Sequence, residues 1–206
     1  MTTLIFPGEL EEFGSQVFAA SIPIATIVAM GMSQADAESL CCGEPNGSLA
    51  ALCDIEVHEA LGAMSPSDWN GNPATNEGIT VFAQDGTGSM IGFWRRDPGD
   101  VADDCPVVFL GSEGMTAVLA PNLAVFAFLL ACGNHTYEWA VALQDPAGEN
   151  GWMLSRAKPL RYDVIQSELA AVFAPEIDAS LAEAAVAASK ELTVEFGKWL
   201  ATYATT

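Results

Sequence analysis

No lysine or arginine precedes Arg95 in this 206-residue chain, and only seven occur in all, against 27 Asp and Glu. The formal net charge is −20. A field of that sign repels nucleic acid and anionic membrane surfaces, and it favours basic protein partners or cations. It also has a plainer use, which is to keep an apolar-rich chain soluble. Histidine is scarce as well: His58 and His135 are the whole supply, so little is left for imidazole-based acid–base or metal chemistry. The five cysteines are odd in number and form no Cys-x-x-Cys pair, and adjacent Cys41 and Cys42 are poorly placed to bridge each other. Neither a disulfide framework nor a zinc knuckle is expected. Buried free thiols in a reducing cytoplasm fit these cysteines better. A membrane span is not expected either. The uncharged stretch from Phe13 to Ala35 is broken by Pro23, preceded by Glu9, Glu11 and Glu12, and lacks a positive flank, so it reads as core.

What is abundant is apolar material: half of the residues are hydrophobic. The length suits one domain, residues 1–206, with a well-buried core. A helix is predicted over Gly8 to Ala20. Another is predicted over Ser33 to Cys42, with Ser33 as N-cap and Gly43 and Pro45 as the stop. Leu49 to Leu61 reads as helical or mixed, and Met64 to Gly78 as a loop of turn dipeptides holding Trp69 over a sheet. Ile79 to Gln84 and Ser89 to Arg95 flank Asp85-Gly86-Thr87-Gly88, a strong hairpin signal. After an acidic loop, Val107 to Leu110 and Met115 to Leu119 form a second strand pair around Gly111 to Gly114. An apolar helix then runs from Pro121-Asn122 to about Cys132. Tyr137 to Trp152 is ambiguous, and Arg161 to Phe173 reads as an amphipathic helix. Ser180 to Tyr203 is a long helix with one stripe through Leu192, Phe196, Trp199 and Leu200, packed on the body or on a partner.

Three segments together resemble the SUKH superfamily of Smi/Knr-type domains: Gln84-Asp-Gly-Thr-Gly88, Pro106-Val-Val-Phe-Leu-Gly-Ser-Glu-Gly114 and Asn122-Leu-Ala-Val-Phe-Ala-Phe-Leu-Leu-Ala131. The resemblance covers residues 78–133, and residues 160–206 read as a helical extension. It implies an α+β domain with a mixed or antiparallel bent β-sheet flanked by helices, here with a long C-terminal helix. It also implies a non-enzymatic protein-binding function, as in the bacterial immunity proteins that neutralise toxins, often nucleases, delivered between competing cells. The family as a whole has no catalytic residues to carry over.

The residues themselves also point away from catalysis. Asp85-Gly86-Thr87-Gly88 matches one half of an aspartic-protease signature, but a second copy is missing. Gly111-Ser-Glu-Gly114 lacks the spacing of a nucleophile elbow, and Gly86, Gly88 and Gly92 do not fit a dinucleotide fingerprint. Cys132 with His135 is a nucleophile pair on paper only, since Cys132 ends an apolar helix. No cofactor and no metal site is expected. The expected mechanism is occlusion of a basic toxin face by acids, with Asp100, Asp103, Asp104 and Glu113 as candidate contacts. Trp94 is either an anchor for that partner or a sheet-packing residue. Arg95-Arg96 is expected to neutralise the neighbouring acidic loop. The alternatives are a regulatory or scaffolding protein that self-associates through its C-terminal helix, and a small-ligand binder with an acidic cleft. The last would be favoured by a deep pocket lined by His58 or His135.

Overall fold

The computed structural model describes residues 22–58, 63–97, 99–100, 104–131, 135–144 and 179–203. The expected helices over Gly8 to Ala20 and Arg161 to Phe173, with Asp103 and Cys132, lie outside them.

A five-stranded antiparallel sheet forms the body, built from β3 (Ile55–Val57), β4 (Ile79–Asp85), β5 (Met90–Trp94), β6 (Val107–Leu110) and β7 (Thr116–Ala120), in sequential order. Every pairing is antiparallel, so the meander is an α+β arrangement with no parallel crossover. Ahead of it come β1 (Ile22–Pro23), α1 (Ile24–Ala29), α2 (Gln34–Leu40), β2 (Asn46–Gly47) and α3 (Leu49–Leu52). Between β3 and β4 stand two one-turn helices, α4 (Pro66–Asn70) and α5 (Thr75–Gly78). The chain continues through α6 (Leu123–Ala131) and α7 (Thr136–Gln144) to α8 (Ala179–Ala201).

Local chemistry explains most of these boundaries. The Ser33 hydroxyl accepts the Asp36 amide as N-cap of α2, and Gly43 at φ 86° follows its end. Residues 64–78 differ from the expected loop. Pro66 occupies the first turn of α4, Gly71 ends it at φ 74°, and the Asn76 side-chain oxygen Oδ1 accepts from Ser67 N and Ser65 Oγ. Turn-forming residues here act as caps of very short helices.

Two bulges sort the side chains between the faces. Strand alternation puts Ile79 and Val81 on one face, but the register slips between Val81 and Ala83. Phe82 and Ala83 therefore both reach the opposite face, and Asp85 follows them. A matching slip between β6 and β7 sends Leu119 and Ala120 to that same face. The first face is covered by α1–α3, α6 and α7, with Ile27, Met30, Phe109, Leu123, Phe126 and Trp139 in its core. The second face, with Val81, Trp94, Val108 and Val118, is covered by α8.

The stripe on α8 is thus consumed within the molecule. Phe196 is fully buried, its ring centroid 5.0 Å from that of Trp94, and Trp199 stacks on Phe196 at 5.7 Å. Trp94 itself is 1% exposed. Of its two readings, sheet packing is the one realised, and its ring is closed to a partner. Among the described residues no helix is long and apolar enough to cross a membrane.

Candidate protein-binding site

Both hairpin turns lie at one end of the sheet, and they have the same backbone form. Gly88 N–H donates to the Asp85 carbonyl (2.9 Å) and Gly114 N–H to the Gly111 carbonyl (2.8 Å). Each of these glycines sits in the left-handed region, at φ 80° and 88°. That requirement is why Gly closes each turn.

The Asp85 carboxylate, 7% exposed, ties this end together. Its Oδ1 accepts from Thr87 N (2.9 Å), Thr87 Oγ1 (2.6 Å) and Ser89 N (3.0 Å), and its Oδ2 accepts from Thr136 Oγ1 (3.2 Å). Ser89 Oγ in turn accepts the Ser112 amide of the second turn (3.2 Å), and Trp69 Nε1 donates to the Gly111 carbonyl (2.7 Å). Buried, with both oxygens occupied, Asp85 is a structural carboxylate rather than a free acid.

Solvent-facing acids stand next to this hub. The chain enters β3 through Asp54 in the left-handed region, at φ 55°. There the Asp54 carbonyl accepts the Gly86 amide (3.0 Å), and its carboxylate rests directly against the Gly86 α-carbon. A side chain at position 86 would overlap the carboxylate oxygens, so the Asp54 side chain would have to swing aside to admit one. Glu56, exposed, receives Gln84 Nε2 at 2.7 Å across the β3–β4 pair. Leu40, Ala51, Asp54, Ile55, Glu56 and the Asp85–Gly88 turn border an open cavity of about 490 Å³. A second cavity of about 400 Å³ shares Leu40 and Ala51 and carries Glu44. Sharing Leu40 and Ala51, they form a shallow trough whose lining, among the described residues, has carboxylates and no Lys or Arg.

The expected contact residues fall elsewhere. Strands β5 and β6 separate Glu113, exposed in the second turn, from Asp100 and Asp104 at the far end of the sheet. Asp100 Oδ2 accepts the amides of Arg96 and Asp97, both at 2.9 Å, so its carboxylate shapes its own loop. Among the described residues, neither Arg95 nor Arg96 forms a side-chain ion pair with that loop. Arg95 Nη2 donates to the Glu77 carbonyl (3.0 Å), while Arg96 Nη1 lies 4.0 Å from Glu195 on α8. Their charges still register at Cys105. Burial first and then Asp100 and Asp104 push its thiol up to about 11, against the opposing pull of Arg95 and Arg96. Burial alone pushes Cys53 to about 12, which makes it a neutral, inert thiol. No motif or spacing marks Glu44, Asp54 and Glu56 in the sequence. The only signal for them was the absence of any base before Arg95.

Comparison with protein-family models, with curated proteins and with solved structures gives no match. Function must therefore be read from the site. Neither His58 nor His135 lines either cavity. His58 Nε2 is buried without a partner among the described residues. No group of three His, Cys, Asp or Glu among the described residues could hold a metal ion. What the trough offers is fixed negative charge beside apolar Leu40, Ala51 and Ile55, the elements of a surface that takes a cationic protein segment.

Proposed function

We propose that this chain is a non-enzymatic protein-binding module that neutralises a basic partner by occlusion, in the manner of a bacterial immunity protein of the SUKH type. The observation that carries the reading is the acidic trough, which among the described residues has no basic residue in its lining. Charge of one sign, concentrated beside an apolar floor, speeds encounter with a cationic face, and burial of that floor holds the complex. The SUKH resemblance over residues 78–133 supports it through the order hairpin, strand, Gly turn, strand, apolar helix. Asp104 and Glu113, both exposed, extend the acidic surface at opposite ends of the sheet.

The test is co-expression with the toxic module of a secreted protein encoded beside this chain's gene. Growth rescued by the wild-type chain, and lost when Asp54 and Glu56 are both changed to Lys, supports the reading. Absence of binding to that module sinks it.

A further inference from the structure

The two edges of the sheet are finished differently. On β7 the outward groups are met by side chains: Thr193 Oγ1 accepts the Val118 amide (2.9 Å), and the Leu119 carbonyl accepts from Trp139 Nε1 (2.8 Å) and Ser189 Oγ (3.2 Å). The Thr116 carbonyl accepts from Gln144 Nε2. That edge is closed. On β3 the bonds Gly86 N–H to Asp54 C=O and His58 N–H to Phe82 C=O (2.9 Å) fix the alternation. Glu56 then exchanges backbone hydrogen bonds with Gln84, and the peptide groups of Ile55 and Val57 point away from β4. No hydrogen bond from the described residues meets them. Ile55 borders the trough, and Val57 is one of three large exposed hydrophobic residues among those described, at 38%.

We infer that β3 is the docking edge: a partner's extended, Lys- or Arg-bearing segment adds to the sheet as a sixth strand alongside Ile55–Val57, with its cations on Asp54 and Glu56. This rests on the proposed binding of a basic partner and specifies how that partner is held. Main-chain bonds to Val57 supply register, and the carboxylates supply selectivity. The same acids exclude a second copy of this chain. Antiparallel edge-to-edge pairing of two β3 strands would set Glu56 against its own copy when centred there, or Asp54 against Glu56 when centred on Ile55, and like charges across a strand pair repel. Charge on a short edge is a known guard against self-aggregation. Here it refuses acidic or identical strands and admits a basic one.

The probe is a capped hexapeptide of alternating Lys and Thr, titrated calorimetrically into the full chain at low salt. Val57→Pro removes the outward N–H while keeping the strand, since proline is tolerated where the amide faces away from the sheet. The proposal expects Val57→Pro to weaken the peptide about tenfold, the loss of roughly one main-chain hydrogen bond. Asp54→Asn with Glu56→Gln should weaken it further. Should the proline variant unfold, the same peptide methylated on alternate backbone nitrogens, titrated into wild type, carries the test, with the same tenfold loss expected. Unchanged binding in both backbone arms, with loss in the carboxamide variant, overturns strand addition and leaves a basic partner standing. No binding by wild type overturns strand addition, and the toxin-module experiment then decides the wider reading separately.

Discussion

Replacing Asp85 by Ala should cost this protein about 3 kcal/mol. The figure follows from what the carboxylate holds. Ser89 is 1% exposed and Thr136 3%, so the Ser89 amide and the Thr136 hydroxyl have no water to turn to when the acceptor goes. Each buried group left unpaired costs about 1–1.5 kcal/mol, and charge-assisted bonds lie at the upper end. The two Thr87 donors are only partly buried, and Thr87 Oγ1 already sits 2.7 Å from Ser89 Oγ, so they add little. Asp85→Asn is the sharper control. Its carbonyl oxygen still accepts from Thr87 and Ser89, and its amide can donate to the Thr136 hydroxyl, which holds the loss near 1 kcal/mol. Urea unfolding followed by tryptophan fluorescence and circular dichroism measures both, provided the m-values agree. A loss under about 0.5 kcal/mol for the Ala variant would refute the hub. Equal losses for Ala and Asn would refute the assignment of its bonds.

Phe196→Ala empties the contact between α8 and the sheet and should cost about 3–5 kcal/mol in urea midpoint terms. The emission of buried Trp94 should shift to the red in the same variant, because the Phe196 ring 5.0 Å away shields it. Stability should fall as pH rises above 9. Cys53 has a folded value near 12 against an ordinary 9.0, so the unfolded thiol releases its proton first. By pH 10 that difference removes about 1.4 kcal/mol, and Cys53→Ala should flatten this part of the alkaline slope. Among the described cysteines Cys42 is exposed while Cys41, Cys53 and Cys105 are buried. Brief maleimide labelling of the native protein at neutral pH should therefore mark Cys42 ahead of those three, as read by peptide mass mapping.

The elements that carry their signal locally were legible in the sequence. Ser33 and Asp36 announce α2, Asp85-Gly86 the first hairpin, Gly111 to Gly114 the second, and the spacing of Leu192, Phe196, Trp199 and Leu200 the buried stripe of α8. The site was not. Strand β3 is three residues long and follows a left-handed Asp54, so neither periodicity nor turn composition marks it. Its pairing with β4 is what brings Asp54 and Glu56 to the Asp85–Gly88 turn, and such register is set by non-local contacts. The bulge at Val81 to Ala83 was equally silent, yet it decides that Asp85 faces α7 and is buried. For Trp94 the sequence leaves two readings open, partner anchor and sheet packing. Its exposure depended on where α8 docked, some hundred residues later in the chain.

The most direct measurement is an amide chemical-shift titration of the full chain with the Lys–Thr hexapeptide. The account predicts that the largest changes cluster at Asp54 to His58 and at Gln84 to Gly88, and that they fade as salt is raised. Changes centred instead on Asp97 to Asp104, or on the outer face of α8, would contradict it.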